Sequence, residues 1–289
     1  MKDVIFAENR RMMALFSRFL SETPRGISQE MVRQVADCGV SRSEAMALLL
    51  AEACGVDPET ERAFYEQRFR AAVRECRAEE YARNFYLQTI TFPEKRQGQC
   101  RLAQLEYAPC ELFVAGDLRR DPVGREIAPL GFFYQGASYP ALLCGDRVWM
   151  TVTPLEIETM AEPIARARGN VTAFGLGLGY YPLMVAQKDE VTSVTVVEWD
   201  AEVIALFEKH ILPQFPQRQK LRLVQDDAFH YAREHLADSG TDTVFCDLWH
   251  DAADGLPAYL RMKALEKGAS GMQFDYWIEQ TLLLYLENA

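Results

Sequence analysis

The chain has 289 residues, of which 49% are hydrophobic and 25% are charged, a composition typical of a soluble globular protein with two domains. Its formal net charge of -11 argues against general nucleic-acid binding and against docking on anionic membranes, because both require clustered basic side chains. A small molecule is therefore the expected partner, and homo-oligomerisation is left open.

The lack of a recognisable targeting signal and the cysteine spacing both predict a cytoplasmic protein. The first twenty residues carry charges that interrupt any signal-peptide core, and no apolar run is long enough to span a bilayer. Seven widely spaced cysteines form no C-x-x-C pair, which predicts reduced thiols with no disulfide framework and no zinc site. The four histidines also lack the spacing of metal ligands, so no metal is expected.

Residues 1–98 are predicted to form a helical domain. Apolar periodicity and capping residues predict three helices in its first half, at Met1–Leu20, Ser28–Asp37 and Ser41–Cys54. Asp57 and Pro58, an N-cap and a first-turn proline, begin a fourth and longer helix that extends to Tyr86. The turn between the second and third helices resembles a helix-turn-helix, but the acidic charge argues against DNA binding.

Residues 99–152 are predicted to form a small β region, because short β-like runs alternate there with Gly, Pro and Asp. The runs are Leu102–Tyr107, Glu111–Ala115, Gly131–Gln135, Tyr139–Cys144 and Arg147–Val152. Gly145 and Asp146, between the last two runs, indicate a hairpin turn. Thr153, Pro154 and Glu156 then combine an N-cap, a first-turn proline and an acid at the third helical position, which predicts the start of a helix.

A glycine-rich turn follows the first buried strand of the third predicted domain, residues 153–289. The strand, Asn170–Phe174, continues directly into Gly175, Gly177 and Gly179. Glycines between a strand and a helix let backbone amides approach a ligand closely. A tight turn that binds nothing is the alternative for this pattern taken alone.

Acidic residues follow the next three predicted strands: Glu198 after the second strand, Asp226 and Asp227 after the third, and Asp247 after the fourth. Glu198 lies about twenty residues past the glycine turn, where a nucleoside ribose needs a carboxylate. Capping of the following helix is the alternative for Glu198. Because open α/β sheets bind ligands at the carboxyl ends of their strands, the four strand ends predict one site. The three strands are Val191–Val197, Leu221–Val224 and Thr243–Cys246.

These four strand ends, between about Thr153 and Leu256, resemble those of the class I S-adenosylmethionine-dependent methyltransferases, particularly the branch that includes spermidine synthase. The resemblance implies an α/β fold with a Rossmann-like methyltransferase sheet, S-adenosylmethionine as cofactor, and methyl transfer to an unidentified small-molecule or protein acceptor. It assigns to the cofactor Gly175, Gly177, Gly179, Tyr180, Glu198, Trp199, Asp226, Asp227, Ala228 and Asp247.

The resemblance also implies a role for each group. The glycines pass beside the methionine part of the cofactor, Glu198 holds the ribose and Trp199 packs on the adenine. Asp227 accepts a hydrogen bond from the adenine amino group, with Asp226 as the less favoured substitute. Asp247 is the candidate catalytic residue, a general base, although a carboxylate there would equally orient a substrate or cap a helix.

Two departures from this family leave alternatives open. After Trp249 the remaining segments, Leu256–Lys267 and Phe274–Glu287, both predict helices, so a sheet of about five strands is expected to be shortened at its C-terminal edge. No substrate motif is recognisable, which leaves a non-catalytic cofactor-binding or scaffold protein as one alternative. An aminopropyltransferase is another, although Leu178 stands where the loop of those enzymes carries an acid. NAD binding is disfavoured by Tyr180, which replaces the third glycine of that fingerprint.

Overall fold

The computed structural model describes residues 2–288 and divides the chain into two compact units. The first unit comprises Met1–Ala82 and Glu106–Ser138, and the second comprises Arg83–Leu105 and Tyr139–Ala289. These boundaries differ from the predicted ones near residues 98 and 152. The chain passes between the units three times, once after Ala82 and twice inside continuous strands, Cys100–Tyr107 and Ala137–Cys144.

Three helices at the start of the first unit confirm the sequence-based prediction. The side chain of Ser28 accepts a hydrogen bond from the Met31 amide, and that of Ser41 accepts one from the Glu44 amide, so both capping residues act as expected. Apolar side chains of these helices, with Phe69, form the buried core of the unit. The helices are α1 (Lys2–Glu22), α2 (Gln29–Ala36) and α3 (Arg42–Ala53).

The predicted long helix from Asp57 to Tyr86 is wrong. The segment breaks because Val73 pairs in parallel with Leu130, a partner that lies far away in the sequence. Tertiary pairing therefore overrides the local helical pattern, as it commonly does for short segments. The segment contains α4 (Arg62–Phe64), a π-helix (Tyr65–Arg70), β1 (Val73–Glu75), α5 (Ala78–Ala82) and α6 (Phe85–Thr89).

The predicted β region is confirmed as a set of short strands in small sheets. Their orders are β1-β7-β4, β2-β3-β8-β9 and β5-β6. The predicted hairpin joins β8 to β9, and Gly145 adopts a positive φ of 63° in its turn. The strands are β2 (Lys95–Gln97), β3 (Cys100–Tyr107), β4 (Leu112–Val114), β5 (Arg119–Arg120), β6 (Glu126–Ile127), β7 (Leu130–Phe132), β8 (Ala137–Cys144) and β9 (Arg147–Thr151).

A disulfide bond joins Cys100 to Cys144, which corrects the prediction that all thiols are reduced. The two cysteines begin β3 and end β8, which are neighbours in one sheet, and their Cα atoms lie 4.1 Å apart. Their separation of 44 residues conceals this proximity in the sequence. Only strand pairing brings them together.

The second unit is built on a five-stranded parallel sheet with the order β12-β11-β10-β13-β14. Its strands are β10 (Gly169–Phe174), β11 (Val191–Glu198), β12 (Leu221–Gln225), β13 (Thr243–Cys246) and β14 (Gln273–Tyr276). Its helices are α6, given above, and α7 (Pro154–Arg166), α8 (Tyr180–Ala186), α9 (Ala201–Leu206), α10 (Ala228–Glu234), α11 (Ala252–Glu266) and α12 (Glu279–Asn288). Short π- and 3-10 turns complete it at Phe207–Ile211, Leu212–Gln214, Arg218–Lys220 and Leu236–Asp238.

The strand order reverses direction between β10 and β13. From β10 the chain steps outward through β11 to β12, and then returns to the other side of β10 for β13 and β14. Such a reversal opens a crevice at the carboxyl ends of the two central strands. The fold is therefore α/β with a Rossmann-like parallel sheet, as predicted. No helix within residues 2–288 is long and apolar enough to cross a membrane.

The fifth strand corrects the prediction of a continuous helix over Phe274–Glu287. β14 pairs in parallel with β13 before α12 begins. The strand was not recognised because it contains a carboxylate, Asp275, that is only 1% exposed. Arg166 forms an ion pair with Asp275, which satisfies a buried charge that the sequence pattern alone reads as a surface position.

Two glycines at the α11 end of the second unit provide a matched stability test. A Cβ atom on Gly255 would lie 2.6 Å from Cγ of Trp249, whereas one on Gly268 would lie 3.5 Å from its nearest neighbour, the Leu265 carbonyl oxygen. We expect Gly255→Ala to lower the free energy of unfolding by about 1–3 kcal/mol through overpacking. Gly268→Ala should leave it unchanged or raise it slightly. Urea denaturation of both variants checks this, and equal stabilities would contradict it.

Candidate functional site

A cleft at the carboxyl ends of β10, β11, β12 and β13 occupies the point where the strand order reverses, and we call it the strand-end cleft. Residues after each of these four strands line it, together with two from β9. The empty space between its walls is about 540 Å³, part of which is open solvent. The sheet topology thus brings the predicted strand ends into one place.

The glycine turn forms the floor of the cleft through Gly175 and Gly177. Gly175 has a φ of +95°, and a Cβ atom there would lie 2.1 Å from the carbonyl oxygen of Asp247. Gly177 has a φ of +50°, and its Cβ would lie 2.8 Å from Cγ of Met150. Both the backbone conformation and the close approach therefore require glycine at these two positions.

The other two residues of the predicted turn do not line the cleft. Gly179 is the N-cap of α8, with a φ of +74°. Tyr180 is 3% exposed, and its hydroxyl accepts a hydrogen bond from Asn84. A direct contact of either residue with a ligand therefore stays a prediction.

Glu198 is fastened to the glycine turn by its own carboxylate. One oxygen accepts a hydrogen bond from the Leu176 amide at 3.0 Å, and the other accepts one from the Asp200 amide at 2.9 Å. Asp200, and not Glu198, provides the side-chain cap of α9. Burial raises the pKa of Glu198, although these amide hydrogen bonds oppose the shift. The Trp199 amide also acts on this carboxylate and opposes the shift.

The two aspartates after β12 occupy different environments. Asp226 lines the cleft, as does Ala228. Asp227 instead caps α10, where its carboxylate accepts a hydrogen bond from the His230 amide at 2.8 Å. Trp199 also lines the cleft, and it is 67% exposed, so its indole is available to a flat ligand.

Asp247 presents an unpaired carboxyl group to the cleft. Its side chain forms no hydrogen bond or ion pair with any residue between 2 and 288. Burial, together with the negative charges of Glu156 and Glu198, raises its pKa to about 8. Glu156 is itself buried, and it accepts hydrogen bonds from the Thr151 hydroxyl at 2.7 Å and the Thr153 amide at 2.9 Å. An unpaired acid beside two others favours a cationic or proton-donating ligand group.

Sequence reasoning did not identify the wall of the cleft that comes from β9. Trp149 and Met150 lie on β9, and the Trp149 ring is 4.8 Å from that of His250, measured between centroids. Trp249 lines the same wall, and its buried indole N–H lacks an acceptor within residues 2–288. The alternation of apolar and polar residues along a hairpin strand does not predict which strand ends of a later sheet that hairpin will contact.

The cleft wall carries carboxyl groups but no fixed positive charge from lysine or arginine. Glu198, Asp226 and Asp247 line it with His250, and no lysine or arginine from the described residues does. Acids on a cleft wall attract cationic ligands when they are ionised, and an acid with a pKa of about 8, such as Asp247, can donate a hydrogen bond at neutral pH. The wall therefore suits a ligand with a positive centre or hydrogen-bonding groups.

No family model matches the chain, and no curated protein matches it in sequence. Two of the solved structures that are similar to it illustrate the likeness. A putative O-methyltransferase from Klebsiella pneumoniae is 20% identical, with 36% of this chain and 45% of that chain covered and a TM-score of 0.28. Spermidine synthase from Thermotoga maritima is 14% identical, with 64% and 54% covered and a TM-score of 0.34. The chain thus spans about half the length of each, and the cleft itself is the basis for a function.

The raised pKa of Asp247 leads to a pH-dependent stability. A carboxyl group whose pKa is about 8 in the folded state and 3.8 otherwise binds its proton more tightly when folded. Its contribution to the free energy of unfolding is therefore lost as pH rises from about 4 to about 8. We expect Asp247→Asn to gain stability relative to the wild type over this range. Urea unfolding of both proteins at about pH 5 and about pH 8 measures the change; an unchanged difference would mean that Asp247 titrates normally.

Proposed function

We propose that the second unit binds S-adenosylmethionine in the strand-end cleft and transfers its methyl group to a small-molecule or protein acceptor. One observation carries this proposal: three features lie together in the cleft where the strand order reverses. These are a glycine turn that admits no side chain at Gly175 or Gly177, the buried acid Glu198 held against that turn, and the unpaired acid Asp247.

The residues present fit the cofactor part by part. Glu198 is held by backbone amides, and a carboxylate, with about four acceptor positions, keeps capacity for ribose hydroxyls beyond them. Trp199 offers an exposed ring for the adenine, and Asp226 offers a carboxylate at the same side of the cleft. We place Asp226 ahead of Asp227 as acceptor for the adenine amino group, because Asp226 lines the cleft whereas Asp227 does not and caps α10.

When bound, the cofactor supplies a methyl group activated by a positively charged sulfur. The protein then needs mainly to align the acceptor and exclude water. Trp149, Met150 and Trp249 form the apolar wall that would keep water out. Asp247 would take the proton of the acceptor nucleophile. A cation in the cleft would lower the pKa of Asp247 from about 8, which keeps the carboxylate ionised for this role near neutral pH.

Aminopropyl transfer from the decarboxylated cofactor is the second candidate, favoured by one observation. No lysine or arginine from the described residues lines the cleft to match the carboxylate of the intact cofactor. One residue argues against aminopropyl transfer. By the resemblance, aminopropyltransferases carry an acid at the position of Leu178, and Leu178 is a core residue that is only 1% exposed. Methyl transfer therefore stays the first candidate.

Ligand binding tests the cofactor assignment directly. We expect S-adenosylmethionine and its demethylated product to stabilise the protein by about 2.7 kcal/mol at 100 times the dissociation constant, and NAD to have no effect. Denaturant titrations with each ligand measure this. Equal or larger stabilisation by NAD would contradict the assignment. Calorimetric titration with the decarboxylated cofactor is the control for the second candidate, and a clear preference for it would favour aminopropyl transfer.

Glu198 is the residue whose loss should weaken cofactor binding most specifically. Glu198→Gln keeps the size of the side chain but removes the charge that strengthens hydrogen bonds from the ribose hydroxyls, each worth about 1.5–3 kcal/mol. We expect at least a tenfold loss of affinity by calorimetry. Glu208→Gln, on the exposed π-turn after α9, is the matched control and should bind as the wild type does. Unchanged affinity in a folded Glu198 variant would assign that acid a structural role only.

A further inference from the structure

Two histidines and an aspartate converge around α10; the aspartate lines the strand-end cleft and the two histidines do not. Asp226 precedes the helix, His230 lies in its first turn, and His235 is its C-cap residue. Nδ1 of His230 lies 3.0 Å from each carboxylate oxygen of Asp226. One possible ligand atom from each of the three residues lies within 4.8 Å of the other two.

The sequence spacing conceals this cluster. His230 and His235 are five residues apart, which would place them on different faces of a continuous helix. The helix ends at Glu234, however, and His235 has a φ of -128° and a ψ of -26°. This non-helical backbone brings its ring to within 5.7 Å of the His230 ring, measured between centroids. The expectation that the histidines lack ligand spacing therefore fails at the helix end.

The donor atoms suit a particular class of metal. Two imidazole nitrogens with one carboxylate oxygen suit zinc and its neighbours in the first transition row, whereas magnesium and calcium take oxygen ligands. With bonds of about 2.0–2.1 Å, adjacent ligand atoms of a tetrahedral zinc site lie ~3.4 Å apart. The His230–Asp226 distance of 3.0 Å is close to that value. Both rings are exposed, so small side-chain rotations can bring the third ligand into place.

Neighbouring charges leave the carboxylate available. No lysine or arginine of the described residues forms an ion pair with Asp226, and His230 is its hydrogen-bond partner. Two nearby arginines are engaged elsewhere. Arg233 pairs with Glu234, and Arg261 stacks on the Phe229 ring at 3.9 Å. A metal cation could therefore bind the Asp226 carboxylate without displacing a lysine or an arginine from it.

We propose that Asp226, His230 and His235 form a binding site for a transition-metal dication, with Zn²⁺ as its first candidate. The three side chains supply three ligands, and water completes the coordination. Asp226 also lines the strand-end cleft, so the cation stands beside a cleft whose other charged groups are carboxylates. The site does not depend on the identity of any ligand in that cleft.

Titration of the full chain with Zn²⁺ in competition with a chromophoric chelator tests the site, in the absence of any nucleoside. We expect one tight equivalent in the wild type. His230→Ala and His235→Ala should each weaken binding by at least tenfold, because even the loss of groups that only support ligands costs about 10- to 100-fold. His210→Ala, which removes a histidine outside the cluster, is the matched control and should bind as the wild type does.

Substitution with Co²⁺ gives a second readout that does not depend on folding stability. Visible absorption bands of bound Co²⁺ should appear in the wild type and disappear in Asp226→Asn. A thiolate-to-cobalt band would instead point to a cysteine such as the exposed Cys38. Absence of a bound equivalent in the wild type, or unchanged affinity in both folded histidine variants, would overturn the proposal and leave Asp226–His230 as a structural pair. Asp226 is shared with the proposed adenine contact, but neither titration contains the other ligand, so the two proposals fail separately.

Discussion

The carbonyl oxygen of Asp247 lies where a Cβ atom of residue 175 would have to be, at 2.1 Å. The end of β13 therefore approaches the turn after β10 so closely that only glycine fits there. The Asp247 amide donates to the Phe174 carbonyl at 2.9 Å, which continues the ladder between the two strands up to this contact. Because the strand order reverses between these two strands, the contact also defines the floor of the cleft.

The same close approach concentrates acidic groups. Glu198 and Asp247 line one cleft, and Glu156 lies close enough to raise the pKa of Asp247. Buried carboxylates are costly unless hydrogen bonds compensate them. Glu198 and Glu156 each accept hydrogen bonds from backbone amides or threonine hydroxyls, whereas Asp247 has no partner among the described residues. The protein thus retains one acid whose charge is left for a ligand, which is the usual arrangement of a functional group.

Around the cleft, some residues that the sequence pattern assigns to ligand binding have structural contacts instead. Asp227 caps α10, and Tyr180 lies in the core with its hydroxyl bonded to Asn84. Conversely, Trp149 and Met150 reach the cleft from a hairpin strand. Helix ends behave in a similar way, because the departure of His235 from helical geometry places its ring beside His230.

The sequence by itself determined the features that depend on near neighbours in the chain. The capping residues Ser28, Ser41 and Thr153 and the turn at Gly145 predict local structure, because their hydrogen bonds and backbone angles involve residues only a few positions away. Local sequence patterns also predict the four central strands and the residues at their ends. Those residues make up most of the candidate site.

Tertiary structure alone decided what depends on distant partners. Val73 is a strand residue because Leu130 pairs with it, and Asp275 is buried in β14 because Arg166 neutralises it. The Cys100–Cys144 bond likewise depends on strand pairing. In each case the stabilising partner lies far along the chain, so no local pattern records the interaction. The physical reason is that burial and strand pairing are properties of the folded chain, whereas capping and turn geometry are properties of a few consecutive residues.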